Sequence, residues 1–286
     1  MNRVIDLNGT LFLCATPIGN LGDMTLRAID ILKEVDLIAA EDTRNTLKLL
    51  NHFEIKTPMT SYHQHNMSVK GTELIEKLKE GKNIALVTDA GMPGISDPGE
   101  DMARRCREEG IPVTIAPGAS AGISALVLSG MNARRYIFEG FLPSDKKERN
   151  SVLKNLEKET RTTIFYEAPH RLTDTLAALL KAAGDREAAT VREITKRYEE
   201  VRHDKISGLL AYYKENPPKG EFVIVVGGIS EKELRQEEIE DWLSITIEEH
   251  MDKYISEGMS EKEAMKKVSR DRGVSKREIY AYLNKD

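Results

Sequence analysis

The chain has 286 residues, of which 40% are hydrophobic and 31% charged, and its formal net charge is −5. This composition supplies enough apolar residues for folded cores, which excludes a wholly disordered chain, and the length predicts about two domains. No apolar run approaches the ~18 residues of a membrane-spanning helix, and the amino terminus lacks the pattern of a secretory signal. The negative charge excludes a protein that binds nucleic acid by bulk attraction alone.

The two cysteines and the absence of several common motifs exclude disulfide-rich proteins and several families of enzyme. Cys14 and Cys106 are far apart and form no CxxC spacing, so we expect neither a disulfide framework nor a cysteine-rich zinc site, and a reducing cytoplasm is the expected location. The sequence contains no GxGxxG, GxxxxGK[ST], HExxH or GxSxG motif. His63 and His65 form a close pair, but a metal ion needs more ligands than they supply, so we expect no metal site.

From residue 10 onward, short apolar runs alternate with amphipathic helical patterns. The predicted strands span residues 11–15, 36–40, 84–88 and 112–116. The predicted helices span residues 26–35, 43–52, 73–80 and 100–109. Strands that alternate with helices predict parallel sheets covered by helices, and the apolar central strands indicate burial on both faces.

A break at residues 116–120 separates this region from a second one with the same alternation. Its predicted strands span residues 136–140, 162–166, 188–193, 198–204 and 221–226, the fourth of them antiparallel. Its predicted helices span residues 122–128, 145–158 and 170–183. We therefore predict an α/β fold with two lobes, residues 1–118 and 119–229, and ligand-binding loops beyond the carboxyl ends of the strands.

Residues 230–286 differ in composition and are predicted to form a small helical domain. Residues 231–252 carry a net charge of −7 and residues 253–286 a net charge of +3. The local concentration of basic residues makes contact with nucleic acid one interpretation of this tail. A helical cap or a dimer-docking tail is the alternative, and the sequence leaves both open.

Two capping boxes, which begin at Ser260 and Ser275, predict helices at residues 261–270 and 276–284. Gly273 lies between them and supplies the left-handed turn of a helix end, so the pattern is typical of a helix-turn-helix. The candidate phosphate contacts are Lys266, Lys267, Arg270, Arg272, Lys276 and Arg277.

Three loops rich in glycine and proline each follow a predicted strand, at residues 16–22, 89–99 and 117–120. Glycine lets the backbone approach a ligand closely, and proline stiffens the loop. One such loop is an ordinary turn signal. Three of them at successive strand ends favour a binding site built largely from backbone N–H and C=O groups.

Eight motifs, in this order, resemble those of a known family. They read TPIGNLGDMTLRAIDIL, AAEDTR, LVTDAGMPGISDPG, APGASA, EGFLP, IFYEAPHR, REITK and KGEFVIVV. Over about residues 10–228 the chain is similar to the tetrapyrrole methylase superfamily of class III S-adenosyl-L-methionine methyltransferases. Within it, the chain resembles the bacterial enzymes that methylate the ribose 2′-hydroxyl of a cytidine in 16S rRNA of the small ribosomal subunit. A basic helix-turn-helix tail is also found in many members.

The resemblance implies two α/β lobes with S-adenosyl-L-methionine in the cleft between them, usually in a homodimer, and a cytidine of the decoding region as substrate. Carried over position by position, it implies that the cofactor contacts Pro17, Met92, Pro93, Ile95, Ser96, Ser120, Ala121, Tyr166, Glu167, Glu221 and Phe222. Position 92 is commonly threonine in this family. Methionine has no hydroxyl to offer the cofactor, so we expect position 92 to act only through its backbone.

Methyl transfer to a ribose hydroxyl benefits from a general base and from a cation near the developing charge. Residues 41–44 (EDTR) directly follow a predicted strand, and we expect Asp42 and Arg44 to act on the substrate side. Asp97 in the central loop is a second candidate base. The alternatives are that Asp42 caps the following helix and that Asp97 stabilises a turn.

Two other functions are compatible with parts of this pattern. A tetrapyrrole or corrinoid methylase typically has GGDP in the central loop, whereas this chain has AGMP at residues 90–93. A ligand-sensing, DNA-binding regulator would use the tail as its reader, but the acidic segment beside the tail disfavours it.

Overall fold

A computed structural model describes residues 9–284, apart from three side chains in the acidic helix that begins at residue 231. Residues 1–8 of the predicted first lobe and residues 285–286 of the predicted tail lie outside the described residues. The described chain contains two five-stranded sheets followed by a group of four helices. The predicted α/β fold with helices at the carboxyl end is confirmed, while the predicted lobe boundaries stay a prediction.

The first sheet is entirely parallel, with strand order β3-β2-β4-β1-β5. Its strands are β1 (Leu11–Cys14), β2 (Leu37–Ala40), β3 (Met59–Ser61), β4 (Ile84–Val87) and β5 (Val113–Ala116). The helices between them are α1 (Leu26–Glu34), α2 (Thr43–His52), α3 (Met67–Lys79) and α4 (Gly99–Glu108).

Helices cover both faces of this sheet because successive side chains of a strand point to opposite sides. On β1, Phe12 packs in a cluster with Leu32 and Leu50 of α1 and α2. Its neighbour Leu11 packs in another cluster with Leu74 of α3. The inner strands of the sheet, such as β1 and β4, are therefore buried on both faces, and their carboxyl ends remain open to a ligand.

The second sheet is mixed, with strand order β6-β7-β10-β8-β9. Its strands are β6 (Tyr136–Phe141), β7 (Thr162–Glu167), β8 (Glu187–Arg192), β9 (Glu200–Lys205) and β10 (Phe222–Val226). The helices of this region are α5 (Ala121–Leu128), α6 (Lys146–Leu156), α7 (Leu172–Ala183) and α8 (Ile206–Glu215).

The central strand β10 separates two cores of the second region. Phe222 and Ile224 pack with residues of α7 and α8, whereas Val223 and Val225 pack on the other face with Leu126 of α5. The loop after β1 extends into this second core, because Ile18 belongs to the same cluster as α5. The two sheets are therefore linked by apolar packing beside the ends of their strands.

Four local features differ from the sequence predictions, and one of them is that helix α8 was not predicted. In the second sheet only β6 and β7 are parallel, since β10 runs antiparallel to both of its neighbours. The alternation of strands and helices could not distinguish these directions. Strand β3 has only three residues and was not predicted, and α3 begins six residues before the predicted start at residue 73 because its first turns contain Gly71 and little apolar periodicity.

The carboxyl-terminal helices are α9 (Glu231–Leu243), α10 (Ile247–Ser256), α11 (Glu261–Asp271) and α12 (Lys276–Leu283). Capping boxes begin α11 at Ser260 and α12 at Ser275, as the sequence indicates. Gly273 between them has φ +65°. The last three helices enclose a small core with Met251, Val268 and Ile279. In the described part of the chain, no helix is long and apolar enough to cross a membrane.

A buried histidine links the helices of this group. The ring of His250 is fully buried and stacks on Trp242, with the ring centroids 3.8 Å apart. Arg272 donates from Nε to His250 Nδ1 at 3.1 Å. Burial and the Arg272 guanidinium lower the pKa of His250, against the opposite effect of Asp271, whose carboxylate lies 3.7 Å away.

This arrangement predicts a loss of stability on mild acidification. Because the folded-state pKa of His250 is lowered, the unfolded chain binds the proton first, and stability falls as pH drops from about 6.5, by at most about 1.4 kcal/mol per pH unit. Denaturant unfolding followed by Trp242 fluorescence between pH 7.5 and pH 5 measures this slope. His250→Phe keeps an aromatic ring and is expected to flatten the profile. An unchanged slope in that variant contradicts the assignment.

Candidate active site

Three loops meet where strands of the first sheet end, and they follow β1, β4 and β5. Thr16 of the first loop and Gly91 of the second form two backbone hydrogen bonds, of 2.9 and 3.1 Å. The Thr16 hydroxyl also donates to the Thr88 carbonyl at 3.1 Å. These bonds hold the first two loops together as one rim.

A cleft of about 400 Å³ opens between this rim and the second sheet. Its volume is in the range of small-molecule binding sites, and it lies at the carboxyl ends of parallel strands, where ligands of open α/β sheets bind. From the first sheet and its loops it is lined by Ile18, Glu41, Thr88, Asp89, Ala90, Gly91, Met92, Ile95, Ser96, Asp97, Ser120 and Ala121. From the second region it is lined by Phe141, Tyr166, Glu167, Ala168, Pro169, Val191, Ile194, Lys196, Glu221, Phe222 and Val223.

Most of the residues predicted to hold a cofactor lie in the wall of this cleft. They are Met92, Ile95, Ser96, Ser120, Ala121, Tyr166, Glu167, Glu221 and Phe222. Pro17 and Pro93 are not among the lining residues, and the structure has Pro93 buried and Pro17 half-buried. Their contacts with a cofactor stay a prediction.

The backbone of the central loop has two residues with positive φ beside the cleft. Gly91 has φ +81°, and a Cβ atom placed on it would lie 3.3 Å from Ile18 Cγ2 and 3.4 Å from the Ala119 carbonyl oxygen. Ser96 has φ +65°, an uncommon conformation for a residue with a side chain. Such backbone strain concentrates at ligand sites, where the loop shape has a function.

The polar groups of Tyr166 and Glu167, in the cleft wall from the second sheet, form hydrogen bonds with other groups of the protein. The hydroxyl of Tyr166 accepts from the Gly122 N–H at 3.1 Å, and burial raises the pKa of this phenol. Glu167 is 2% exposed, and its carboxylate accepts from the Ala168 N–H and the Thr175 hydroxyl. Both oxygens of this carboxylate are therefore already hydrogen-bonded. Glu167 lines the cleft, but its carboxylate is not open to bind a ligand.

Charged residues close the other end of the cleft. The ammonium group of Lys196 lies 3.0 Å from a Glu193 carboxylate oxygen and 2.6 Å from a Glu221 carboxylate oxygen. A Cβ atom on Gly19 would lie 2.4 Å from Lys196 Cγ, so the glycine allows the first loop to pass against this lysine. The two regions of the chain thus meet at the rim.

Asp42 and Arg44 do not line the cleft. Asp42 is the N-cap of α2, and its Oδ1 accepts from the Arg44 N–H at 2.8 Å. The Arg44 guanidinium bonds to both oxygens of the Asp42 carboxylate, and this hydrogen bonding lowers the pKa of Asp42 to about 2. A carboxylate that has so low a pKa and lies outside the cleft wall is a poor general base. Asp42 instead has the alternative role expected for it, as the cap of α2.

Glu41 and Asp89 line the cleft, although they were not among the predicted site residues. Glu41 Oε2 accepts from the Thr88 hydroxyl at 2.6 Å and from the Asp89 N–H at 3.3 Å. Burial, together with the neighbouring Glu41 and Asp42 carboxylates, raises the pKa of Asp89. Because Glu41 and Asp89 follow the adjacent strands β2 and β4, the rule on carboxyl ends could have identified both.

A second cavity of about 470 Å³ adjoins the cleft. Glu41, Ser96 and Asp97 line both cavities and thus form the partition between them. Asp97 Oδ1 accepts from the Gly94 and Gly99 N–H groups at 2.8 and 2.7 Å. Asp97 therefore stabilises a turn of the central loop, which was the alternative to a role as the general base. Its other carboxylate oxygen takes no part in this turn.

The candidate phosphate contacts of the tail fall into two groups. Five of them are exposed on α11 and α12, namely Lys266, Lys267, Arg270, Lys276 and Arg277. Arg272 is only 7% exposed, and it donates to the carbonyls of Ile245 and Thr246 as well as to His250. The prediction for Arg272 is therefore corrected: its guanidinium holds the helices together and is not available to a phosphate.

The described residues contain neither a metal-binding cluster nor a reactive thiol. The rings of His63 and His65 lie 6.0 Å apart, and no group of three or more His, Cys, Asp or Glu side chains in residues 9–284 is placed to hold a metal ion. Cys14 and Cys106 are buried free thiols. Burial raises the pKa of Cys14 to about 12 and that of Cys106 to about 11, so neither is a nucleophile.

Similarity to known proteins extends along nearly the whole chain. The family model of the tetrapyrrole (corrin/porphyrin) methylases matches residues 10–210. A protein of Bacillus subtilis named ribosomal RNA small subunit methyltransferase I is 50% identical over 95% of this chain and 93% of its own length. A protein of the same name from Synechocystis is 44% identical over 95% of this chain and 96% of its own length.

Solved structures share the fold at low sequence identity. Uroporphyrin-III C-methyltransferase from Thermus thermophilus aligns with a TM-score of 0.55 and 20% identity, over 77% of this chain and 94% of that one. A diphthine synthase aligns with a TM-score of 0.58 and 16% identity, over 77% of this chain and 89% of that one. At these identities the similarity is one of fold.

Proposed function

The chain belongs to the tetrapyrrole (corrin/porphyrin) methylase family, and we propose that it transfers a methyl group from S-adenosyl-L-methionine to the ribose 2′-hydroxyl of a cytidine in 16S rRNA. The observation that carries the proposal is the 44–50% sequence identity, over 95% of this chain, to relatives named ribosomal RNA small subunit methyltransferase I. Following the motif resemblance, we place the target nucleotide in the decoding region of the small subunit. An enzyme with this substrate acts in the cytoplasm.

The residues of the cleft fit S-adenosyl-L-methionine. Ile18, Val191, Ile194 and Val223 supply apolar surface for a nucleoside base. Gly91 brings its backbone to the wall of the cleft, where a Cβ atom would crowd Ile18 Cγ2. The bound cofactor would supply a methyl group already activated on a sulfonium, so positioning the acceptor in a dry cleft accounts for much of the rate.

Glu41 is suited to accept the proton of the acceptor hydroxyl. It lies on the partition between the cleft and the second cavity, and one of its oxygens is held by Thr88 and Asp89. In the described residues no hydrogen bond to its other oxygen, Oε1, is present, so this oxygen is free to face the substrate. The Glu41 carboxylate also contributes to the raised pKa of Asp89, so the two carboxylates influence each other's protonation.

RNA contacts outside the cleft would come from exposed cations. The side chain of Arg44 is 86% exposed beside the cleft, so it can hold a phosphate while Asp42 fixes its orientation. The exposed lysines and arginines of α11 and α12 form a second basic surface, which we propose as an RNA contact.

The tail surface predicts a change in salt dependence. In a Lys266→Ala, Arg270→Ala double variant, affinity for a small-subunit rRNA fragment is expected to fall. The slope of log Kd against log salt should decrease by about 0.7–0.9 for each phosphate that the variant no longer neutralises. Fluorescence anisotropy over a salt series measures the slope. Lys33→Ala removes an exposed lysine on α1 as the control. An unchanged slope in the double variant assigns the tail to a structural role.

We propose a homodimer, with an apolar surface near β5 as the interface. Residues that are exposed there despite being apolar are Leu26, Val113 and Ile115. Arg27 Nη2 donates to the Ile115 carbonyl at 2.8 Å, which places the start of α1 beside this edge strand. A protein that exposes a contiguous apolar patch commonly covers it with a partner.

The test of the proposed function has two stages. Calorimetry should detect binding of S-adenosyl-L-methionine, and assay on small subunits that lack the modification should produce a 2′-O-methylcytidine, mapped by mass spectrometry. Uroporphyrinogen serves as the alternative acceptor. Absence of both cofactor binding and ribose methylation refutes the proposal, and methylation of the tetrapyrrole favours the other branch of the family.

A further inference from the structure

A bulge in β6 turns Phe141 toward the cleft. The register of β6 against β7 shifts between Phe138 and Gly140, so β6 has one extra residue there. Paired residues of neighbouring strands point to the same face of a sheet, and an extra residue moves each later side chain to the opposite face. Phe141 therefore lies on the face of its partner Tyr166, and both residues line the cleft.

Contacts on two sides fix the position of this ring. The rings of Phe141 and Tyr166 meet edge to face, with centroids 5.7 Å apart, and the Tyr166 hydroxyl is itself held by the Gly122 N–H. Gly140 has φ +66°, and a Cβ atom on it would lie 3.1 Å from Ser96 Oγ, so the end of β6 passes closely against the central loop. The ring is therefore in place before a ligand binds, which lowers the entropy cost of binding to it.

Phe141 is nonetheless 51% exposed. The apolar side chains proposed above for the nucleoside base of the cofactor, such as Val191 and Val223, are buried in the same wall. A half-exposed ring suits instead a flat ligand that enters the cleft from solvent and covers one face of the ring. The acceptor RNA is such a ligand.

Unpaired cations follow Phe141 in the chain. Lys146 and Lys147 are exposed in the first turn of α6, and no carboxylate of the described residues forms a salt bridge with either. The Asp145 carboxylate beside them accepts from backbone N–H groups of α6, whereas Lys196 in the cleft wall is already bound to two glutamates. Lys146 lies five residues after Phe141, so their Cα atoms are at most about 18 Å apart. The cofactor has no phosphate, so free cations at this rim favour a nucleic acid.

Resting on the proposed function, we propose that Phe141 is a stacking platform for the base of the acceptor nucleotide, and that Lys146 and Lys147 bind phosphates of the same RNA strand. Phe141 and Glu41 line the same cleft, so a base stacked on this ring can place its ribose beside the Glu41 carboxylate. Proteins that bind single-stranded RNA stack bases on aromatic rings and hold the backbone with cations. Because every base has an aromatic face, this contact contributes affinity and position rather than a choice of base.

Phe141→Leu tests the platform, because leucine keeps apolar bulk without a flat face. Affinity for a small-subunit rRNA fragment, measured by fluorescence anisotropy with protein saturated with S-adenosylhomocysteine, is expected to fall about fivefold or more. Phe141→Tyr keeps the ring and should retain the affinity. Tyr136→Leu is the matched control, because Tyr136 is 42% exposed at the other end of β6 and does not line the cleft.

A second RNA identifies the base. The same fragment with an abasic acceptor nucleotide keeps the ribose and has nothing to stack there, so Phe141→Leu should cause no further loss of affinity for it. An equal loss on the intact and the abasic RNA overturns the platform, as does an unchanged affinity of Phe141→Leu for the intact RNA.

The remaining outcomes separate this proposal from the proposed function. Calorimetry with S-adenosyl-L-methionine should give Phe141→Leu the affinity of the unaltered protein, and a loss confined to the cofactor overturns the platform even if RNA is methylated. In a Lys146→Ala, Lys147→Ala double variant the slope of log Kd against log salt should decrease, and an unchanged slope overturns the assignment of the lysines. RNA binding that depends on Phe141, without methylation by the unaltered protein, supports the platform and refutes the proposed function.

Discussion

Replacement of Gly91 by alanine is expected to weaken S-adenosyl-L-methionine binding about tenfold or more, which corresponds to about 1.4 kcal/mol. The added Cβ would lie 3.3 Å from Ile18 Cγ2 and 3.4 Å from the Ala119 carbonyl oxygen, so Ile18, which lines the cleft, must shift by a few tenths of an ångström. Gly91 also has φ +81°, where a side chain adds about 1–2 kcal/mol of strain. Isothermal titration calorimetry measures the dissociation constant.

A matched control separates the steric effect from backbone strain. Gly81 has φ +89°, and no atom of the described residues lies within 4 Å of a Cβ placed on it. Gly81→Ala is therefore expected to lose stability, as Gly91→Ala does, while it binds the cofactor as tightly as the unaltered protein. Equal cofactor affinity in the two variants would contradict the proposed position of the cofactor beside Gly91.

The location of the site could be predicted from the sequence, because it depends on an order of elements rather than on distances. Each of the three loops follows a strand, and parallel strands of one sheet end at one edge. The structure brings the loops together there, with the Thr16–Gly91 bridge between the first two. Periodicity also identified most strands and helices, since their apolar faces are regular.

The chemistry within residues 41–44 could not be predicted from residue type alone. Glu41 and Asp42 are adjacent carboxylates, and either suits a base. They differ because Asp42 begins α2 and turns its carboxylate to the helix and Arg44, whereas Glu41 still faces the partition between the two cavities. A cap and a site residue have the same composition, so only the backbone direction at the strand end distinguishes them.

Arg272 illustrates a second limit of reading charge from sequence. Its neighbours Lys266 and Arg270 are exposed, and a basic run suggested one continuous phosphate surface. The guanidinium instead satisfies the carbonyls of Ile245 and Thr246 inside the helical group. Arginine can enter a core when it meets several acceptors, and those acceptors lie about 26 residues away in the chain.

Glu41→Gln is expected to lower kcat by about 10²- to 10⁴-fold, the usual contribution of a positioned general base. Glutamine is isosteric with glutamate and can still accept from the Thr88 hydroxyl and the Asp89 N–H, so the partition should keep its shape. Cofactor affinity, measured by calorimetry, should therefore stay close to that of the unaltered protein. Single-turnover methylation of small-subunit RNA isolates the chemical step from product release.

Asp42→Asn is the comparison that decides between the two adjacent carboxylates. Asparagine is as good an N-cap as aspartate, so α2 should start normally and kcat should change little. The pKa of Asp42, lowered to about 2 by its hydrogen bonds with Arg44, also leaves it a weak proton acceptor at neutral pH. A larger loss of kcat in Asp42→Asn than in Glu41→Gln would show that Asp42, and not Glu41, is the general base. Because the partition between the two cavities contains Glu41 and not Asp42, we expect the opposite order.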